Sequence, residues 1–416
     1  MRLRNKILIN YIGTTLIGVI NILSLMAYSR LFGHDKWGII AAYITIVNVM
    51  MMAEMGVLQL YTAEYGRSQF RQSIREKYIR AILVVATVVP AVILILSGLG
   101  RIIDSTLWPF WNNFSLLTLA CLFFSVSLLN NFIYADLNAE ENHLEQNSRQ
   151  ILFLLIKNIS AIILVAYLVP EPIIYFLVFL IVSILELVFN ARYLKIKSIF
   201  MGFKISETRE FFKSIGSITG AVIVGILVFN LDRLFLSSTL PSHVFGVYAI
   251  VVTVGLYFLQ LQYPLMKTFL PYLSRGDSPQ DLVSNNRKIL KLQVLAVTVI
   301  LAPVLLTGGI FASSILPLFS IRVSEEVGTV ILFRAILISI YLNAIYHVVY
   351  QRMIISGEGR FIFRVNLISL VFCFIGLACF GVASPYLTGA ACWMLAAVTQ
   401  LVGGIYFFLV HDKRYV

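Results

Sequence analysis

The chain has 416 residues, 59% of them hydrophobic and 12% charged, and carries a formal net charge of +12 at pH 7. Its length suggests two or three soluble domains, but long apolar runs recur throughout and leave nothing polar and domain-sized between them, so the bilayer is the solvent for most of the chain. Most of its 32 Lys and Arg fall in the termini and in alternate loops. That is the pattern of a membrane protein obeying the positive-inside rule, and no nucleic-acid partner is expected.

The basic opening Met1-Arg-Leu-Arg-Asn-Lys6 stands before an apolar run that is too long for a signal peptide, so a retained first helix is expected. Twelve spans follow. The first six cover roughly 7–29, 37–64, 79–99, 114–136, 150–170 and 172–193. The second six cover roughly 214–239, 243–268, 290–312, 328–350, 362–381 and 386–410. Each meets the ~20 residues that a helix needs to cross the hydrocarbon. Pro170-Glu-Pro172 forces a tight reversal between spans five and six.

The loops 65–78, 194–213, 272–289 and 351–361 are basic, whereas 100–113, 239–243, 317–327 and 382–385 hold few cations. Both termini are therefore expected in the cytoplasm. The loop 137–149 sets Glu140, Glu141 and Glu145 against Arg149, an exception that the rule tolerates because acidic residues weigh little in it. The expected division is an N-terminal lobe at 1–193, a cytoplasmic linker at 194–213 and a C-terminal lobe at 214–416.

The two lobes share a motif. Ser29-Arg-Leu-Phe32 precedes Lys36-Trp-Gly38, much as Asp232-Arg-Leu-Phe235 precedes Phe245-Gly-Val-Tyr248. A weaker likeness joins Asn130-Asn-Phe-Ile-Tyr134 to Asn343-Ala-Ile-Tyr-His347. An even number of spans in each lobe makes the repeat parallel, with its axis along the membrane normal. The reading is an all-α membrane protein with twelve transmembrane helices in two parallel six-helix repeats facing a central cavity.

Helical spacing of about 3.6 residues brings polar side chains onto common faces. Asn10, Thr14, Asn21, Ser24 and Tyr28 form such a stripe on span one, and Thr45, Asn48, Gln59 and Thr62 form one on span two. Asn230, Arg233 and Ser237 share span seven, Thr253 and Gln260 share span eight, and Ser339, Asn343, His347 and Tyr350 share span ten. Two readings stand, namely packing through interhelical hydrogen bonds or the lining of a hydrated path.

Ionisable residues inside apolar runs carry the functional hypotheses. Arg233 is the foremost, as a fixed cation whose planar fork fits phosphate oxygens. Asp232 diverges from it by about 100° on the helix, so each of the two needs its own partner. Arg30, Lys157 and Arg334 are further candidate anion contacts, the alternatives being interfacial anchoring or pairing with an acid. Glu54, Asp136, Glu186, Asp232 and His347 are candidates for ion pairing or proton relay. The sequence contains no phosphate loop, dinucleotide turn or zinc-protease motif, and Cys121, Cys373, Cys379 and Cys392 show no metal-ligand spacing. No enzyme chemistry, cofactor or metal is expected.

With Tyr28-Ser-Arg-Leu-Phe-Gly33 before Trp37-Gly38, and Asn230-Leu-Asp-Arg-Leu-Phe235 before Phe245-Gly-Val-Tyr248, the chain resembles the bacterial polysaccharide flippases. These are the O-antigen and lipid-linked-oligosaccharide exporters of the multidrug/oligosaccharidyl-lipid/polysaccharide superfamily. It departs from them in having no proline within 7–29. The resemblance implies a multi-pass protein of the bacterial inner membrane that moves an oligosaccharide on undecaprenyl diphosphate from the cytoplasmic to the periplasmic leaflet. It also implies contact with membrane lipids and leaves open a proton or sodium counterflow. The competing readings are a cation-coupled multidrug exporter of the same superfamily and a membrane polysaccharide polymerase or ligase. The last would need a larger outer loop than the sequence offers.

Overall fold

A computed structural model describes residues 3–67, 70–103, 113–192, 205–259, 291, 294–299, 301–303, 305–306, 308–321, 327–355 and 357–410. Among the described residues every regular element is helical. In chain order these are α1 (Leu3–Arg67), α2 (Arg71–Ile103), α3 (Phe114–Ala139), α4 (His143–Tyr167), α5 (Pro172–Ala191), α6 (Ile205–Thr239) and α7 (Ser242–Leu259). They continue with α8 (Gly308–Ile315), which runs into a short 3-10 turn at Leu316–Phe319, then α9 (Val327–Ile355), α10 (Gly359–Phe380) and α11 (Pro385–Val410). Among the described residues, ten helical segments are long and apolar enough to cross a membrane.

α1 holds the first two expected spans. At about 1.5 Å per residue its 65 residues would reach far beyond one bilayer, and the helix is broken at Gly33 (φ 65, ψ 174). That combination of angles is essentially confined to glycine. The second copy of the motif is also interrupted, at Leu240 and Pro241 between α6 and α7. The rings of Tyr28 and Trp37 stack across the Gly33 break at 5.9 Å, and Tyr175 packs edge-on to Tyr28 at 5.3 Å. Span nine is described only in part, as helix at 291, 294–299, 301–303 and 305–306, and from 308 as the start of α8.

Several helices outrun their expected spans on the basic side. The expected loop 65–78 is largely helical, because α1 continues to Arg67 and α2 starts at Arg71. A helix satisfies its own backbone as well in water as in lipid, so hydropathy marks the hydrocarbon crossing and not the helix end. α3 is capped by the Asn113 side chain, which accepts from Leu116 N at 3.1 Å. α5 begins with Pro172 in its first turn, where no N–H is needed.

The chain forms two compact units. The first comprises Met1–Met26, Gly220–Leu236 and Val247–Val416. In it α9, α10 and α11 pack side by side, helped by small residues, so that a Cβ on Gly403 would touch Val365 and one on Gly404 would touch Tyr346. The second comprises Ala27–Thr219 and Ser237–Gly246, and in it α3 packs against α2, α4 and α5. Its helices are apolar outside and polar inside. α4 exposes Leu152, Ile156, Ile159 and Ile163 while burying Asn158, Ala161 and Val165, as a helix facing lipid on one side should.

Candidate functional site

In the first unit, α6 carries Asp232 and Arg233 on diverging faces, and both side chains are buried. Asp232 Oδ2 accepts from the Tyr248 hydroxyl on α7 and from Trp393 Nε1 on α11, the latter at 3.0 Å. Its carboxylate thus ties three helices together. Gly389 permits this approach, since a Cβ there would stand 2.7 Å and 2.9 Å from ring carbons of Tyr248.

Arg233 turns the other way. Its Nη2 donates to Asn230 Oδ1 at 2.5 Å and to the Phe229 carbonyl at 2.9 Å. Asn230 in turn donates to the Ile226 carbonyl at 3.0 Å. Among the described residues no carboxylate comes within 4.0 Å of this guanidinium, and its Nε is buried without a hydrogen-bond partner. The site therefore presents a buried guanidinium whose hydrogen bonds go to neutral acceptors, with the Asp232 carboxylate acting on it only through space.

A chain of amides crosses the same unit. Asn343 on α9 donates to Gln400 on α11 at 2.9 Å, and Gln400 donates to Asn366 on α10 at 3.1 Å. Asn366 then donates to the Ala221 carbonyl of α6 at 2.8 Å. His347 lies next to this chain on α9, its ring between those of Tyr346 and Tyr350.

The second unit has charges at the corresponding helices. Glu186 on α5 accepts from the Tyr134 hydroxyl of α3 and from Lys157 Nζ of α4, the lysine at 2.5 Å. Beside it, the Tyr28 hydroxyl donates to Asn158 Oδ1 at 2.9 Å, and Asn130 Nδ2 donates to the Ser183 carbonyl at 3.0 Å. Thus Asn130 links spans four and six, as Asn343 links spans ten and twelve. At the basic end, Asp136 accepts from the Tyr61 hydroxyl and from Arg75 Nε at 3.0 Å, while Arg75 Nη2 reaches Glu140 Oε1 at 2.5 Å.

The structure thus groups Arg233 with Asn230, Lys157 with Glu186, and Asp136 with Arg75. Arg30 and Arg334 are exposed on α1 and α9. Asn48 is half-buried, and Asn21 takes part through its carbonyl, which accepts from the Tyr257 hydroxyl at 3.5 Å. Gln260 lies outside the described residues, as do the side chains of Glu54 and Gln59. Sequence reasoning named Tyr248 only as part of the repeat motif, passed over Trp393 and Gly389, and left Arg75 in a loop. The signal for Trp393 was an N–H-bearing ring deep in an apolar span, where a buried indole requires an acceptor.

No protein-family model matches the chain, and no curated protein matches it in sequence. Among solved structures, the MATE multidrug transporter DinF-BH aligns over 100% of this chain and 96% of its own, with a TM-score of 0.75 and 13% identity. The Vibrio cholerae MATE transporter VcmN in the bent form aligns over 99% and 98%, with a TM-score of 0.67 and 13% identity. A MOP superfamily transporter from Pyrococcus furiosus, for which a reversed polarity of the binding pocket suggests a different function, aligns over 100% and 96%, with a TM-score of 0.67 and 15% identity. All three are transporters, and none is an enzyme. At these identities the likeness is one of fold: the chain is an all-helical, multi-pass membrane protein with the fold of the MATE transporters.

Proposed function

We propose that the protein is an alternating-access exporter whose cargo is anionic, namely an oligosaccharide unit on undecaprenyl diphosphate, carried from the cytoplasmic to the periplasmic leaflet of the bacterial inner membrane. Arg233 carries this reading. A buried guanidinium without a contacting carboxylate is costly in a membrane and fits a phosphate oxygen pair. Three of the acidic groups that a cationic cargo would seek are engaged among the described residues: Asp136 by Arg75, Glu186 by Lys157, and Asp232 by Tyr248 and Trp393. The diphosphate and sugars cannot cross hydrocarbon unaided, whereas the isoprenoid tail can remain in lipid. The membrane potential assists an outgoing anion by about 2.3 kcal/mol per charge per 100 mV.

A cation-coupled multidrug exporter is the second reading, favoured by the fold neighbours themselves, of which DinF-BH is a multidrug transporter. Deletion of the gene with plasmid complementation separates the two. Loss of one surface polysaccharide, with lipid-linked units accumulating on the cytoplasmic side, supports the flippase. Unchanged surface glycan with altered drug sensitivity supports the exporter.

A further inference from the structure

The two copies of the aromatic–glycine motif meet each other within one compact unit. A Cβ on Gly38 would stand 2.9 Å from the carbonyl carbon of Ser242 and 3.1 Å from the amide nitrogen of Gly246, with the Ser242 carbonyl oxygen nearer still. A Cβ on Gly246 would stand 2.9 Å from the carbonyl carbon of His34 and 3.2 Å from the amide nitrogen of Gly38, with the His34 oxygen again nearer. Each glycine thus faces the carbonyl four residues before the other glycine. A reciprocal contact of this kind is what a two-fold relation produces, so the axis relating the two motif copies passes between Gly38 and Gly246.

Every atom that the added Cβ would meet is backbone, so no side chain can rotate aside to make room. The residues before the glycines, Trp37 and Phe245, are both buried, which leaves no slack around the contact. Such an approach is open only to residues without a side chain. It lies at the turns after spans one and seven, which the alternation of basic loops places outside. There Lys36 Nζ reaches Glu171 Oε1 at 2.7 Å, and His243 Nδ1 stands 3.8 Å from Asp35 Oδ1. These flanking pairs are exposed and therefore weak. No hydrogen bond or covalent link between Gly38 and Gly246 makes the contact permanent.

We propose that Gly38 and Gly246 form the outer seal of the transporter, a backbone-to-backbone contact on the repeat axis that parts whenever the protein opens to the periplasm. A methyl group on either glycine shifts the conformational equilibrium away from the sealed state. The proposal rests on the transport reading above but on neither choice of cargo.

The test uses full-length protein with Cys121, Cys373, Cys379 and Cys392 replaced by alanine and with Asp35→Cys and His243→Cys introduced, treated in membranes with a short, reducible bis-thiosulfonate crosslinker. The parent pair should crosslink readily. Gly38→Ala or Gly246→Ala should slow the crosslinking severalfold, while Gly98→Ala, at a glycine with no atom within 4 Å of its Cβ, should leave it unchanged. Equal rates in the Gly38 and Gly246 variants, or no crosslinking in the parent, would overturn the proposal. These readouts need no cargo, so they stand or fall apart from the flippase reading. A second arm avoids the alanine variants altogether. The crosslinked parent should lose the activity, glycan export or drug efflux, that the complementation assay detects, and reductant should restore it. Undiminished transport by the crosslinked protein would show that the contact need not part.

Discussion

Lys157 Nζ lies 2.5 Å from Glu186 Oε2, joining α4 to α5 through side chains that are 13% and 4% exposed. A lysine that the sequence offers as an anion contact therefore carries its own counter-charge. Removing one partner of such a pair leaves the other buried and uncompensated, at a cost of about 3–5 kcal/mol. Glu186→Gln is expected to lower the thermal unfolding midpoint in detergent, and pairing it with Lys157→Met should recover much of the loss. Additive effects of the two substitutions would mean that the ion pair is not coupled.

Among the described residues no carboxylate lies within 4.0 Å of the Arg233 guanidinium, so its substitution is expected to read out in transport rather than in stability alone. Arg233→Ala should abolish most transport at normal protein levels, and Arg233→Lys should retain part of it, because a lysine keeps the charge but not the fork. Transport is measured by restored surface glycan in a deletion strain. Full activity of the alanine variant would remove Arg233 from the cargo path.

The Asp232 clamp predicts a stability effect of its own. Trp393→Phe deletes one of its two donors, and a hydrogen bond to a charged group contributes about 1.5–3 kcal/mol. Gly389→Ala should act in the same direction by pushing the Tyr248 ring off the carboxylate. Both are checked by unfolding in detergent against the parent protein.

Gln400→Leu breaks the amide chain at its middle and strands Asn343 Nδ2 and Asn366 Oδ1. Interhelical hydrogen bonds in membranes contribute about 0.6–1.7 kcal/mol each, so a loss of about 1–3 kcal/mol is expected from two of them. An unchanged unfolding midpoint would mean that the amides find other partners.

Gly33→Ala tests the break in α1. No atom crowds the position, so any destabilisation reports backbone strain alone, of order 1–3 kcal/mol. A neutral outcome would indicate that the turn relaxes to a conformation open to alanine.

Much of the fold was legible in the sequence because hydropathy is a local property. Runs of Leu, Ile, Val and Phe mark where the chain crosses hydrocarbon, and Pro170 to Pro172 mark a reversal. Arg233 stood out for the same reason, as a fixed charge inside an apolar run. Helix ends were less legible. Arg71 to Arg75 read as a basic loop yet form the first turn of α2, since a helix continues into water at little cost.

Partner choice belongs to the tertiary structure. Nothing within twenty-odd residues of Lys157 announces Glu186, and nothing near Asp232 announces Trp393, 161 positions away. Pairing depends on which helix faces pack together, and local pattern specifies those faces only up to rotation and neighbour. The motif at Trp37-Gly38 and Phe245-Gly246 shows the division most plainly. The sequence determined that two aromatic–glycine copies exist and that each opens a helix. Only the folded backbone decided that the two glycines touch, because close approach is a relation between two surfaces and neither segment encodes it alone.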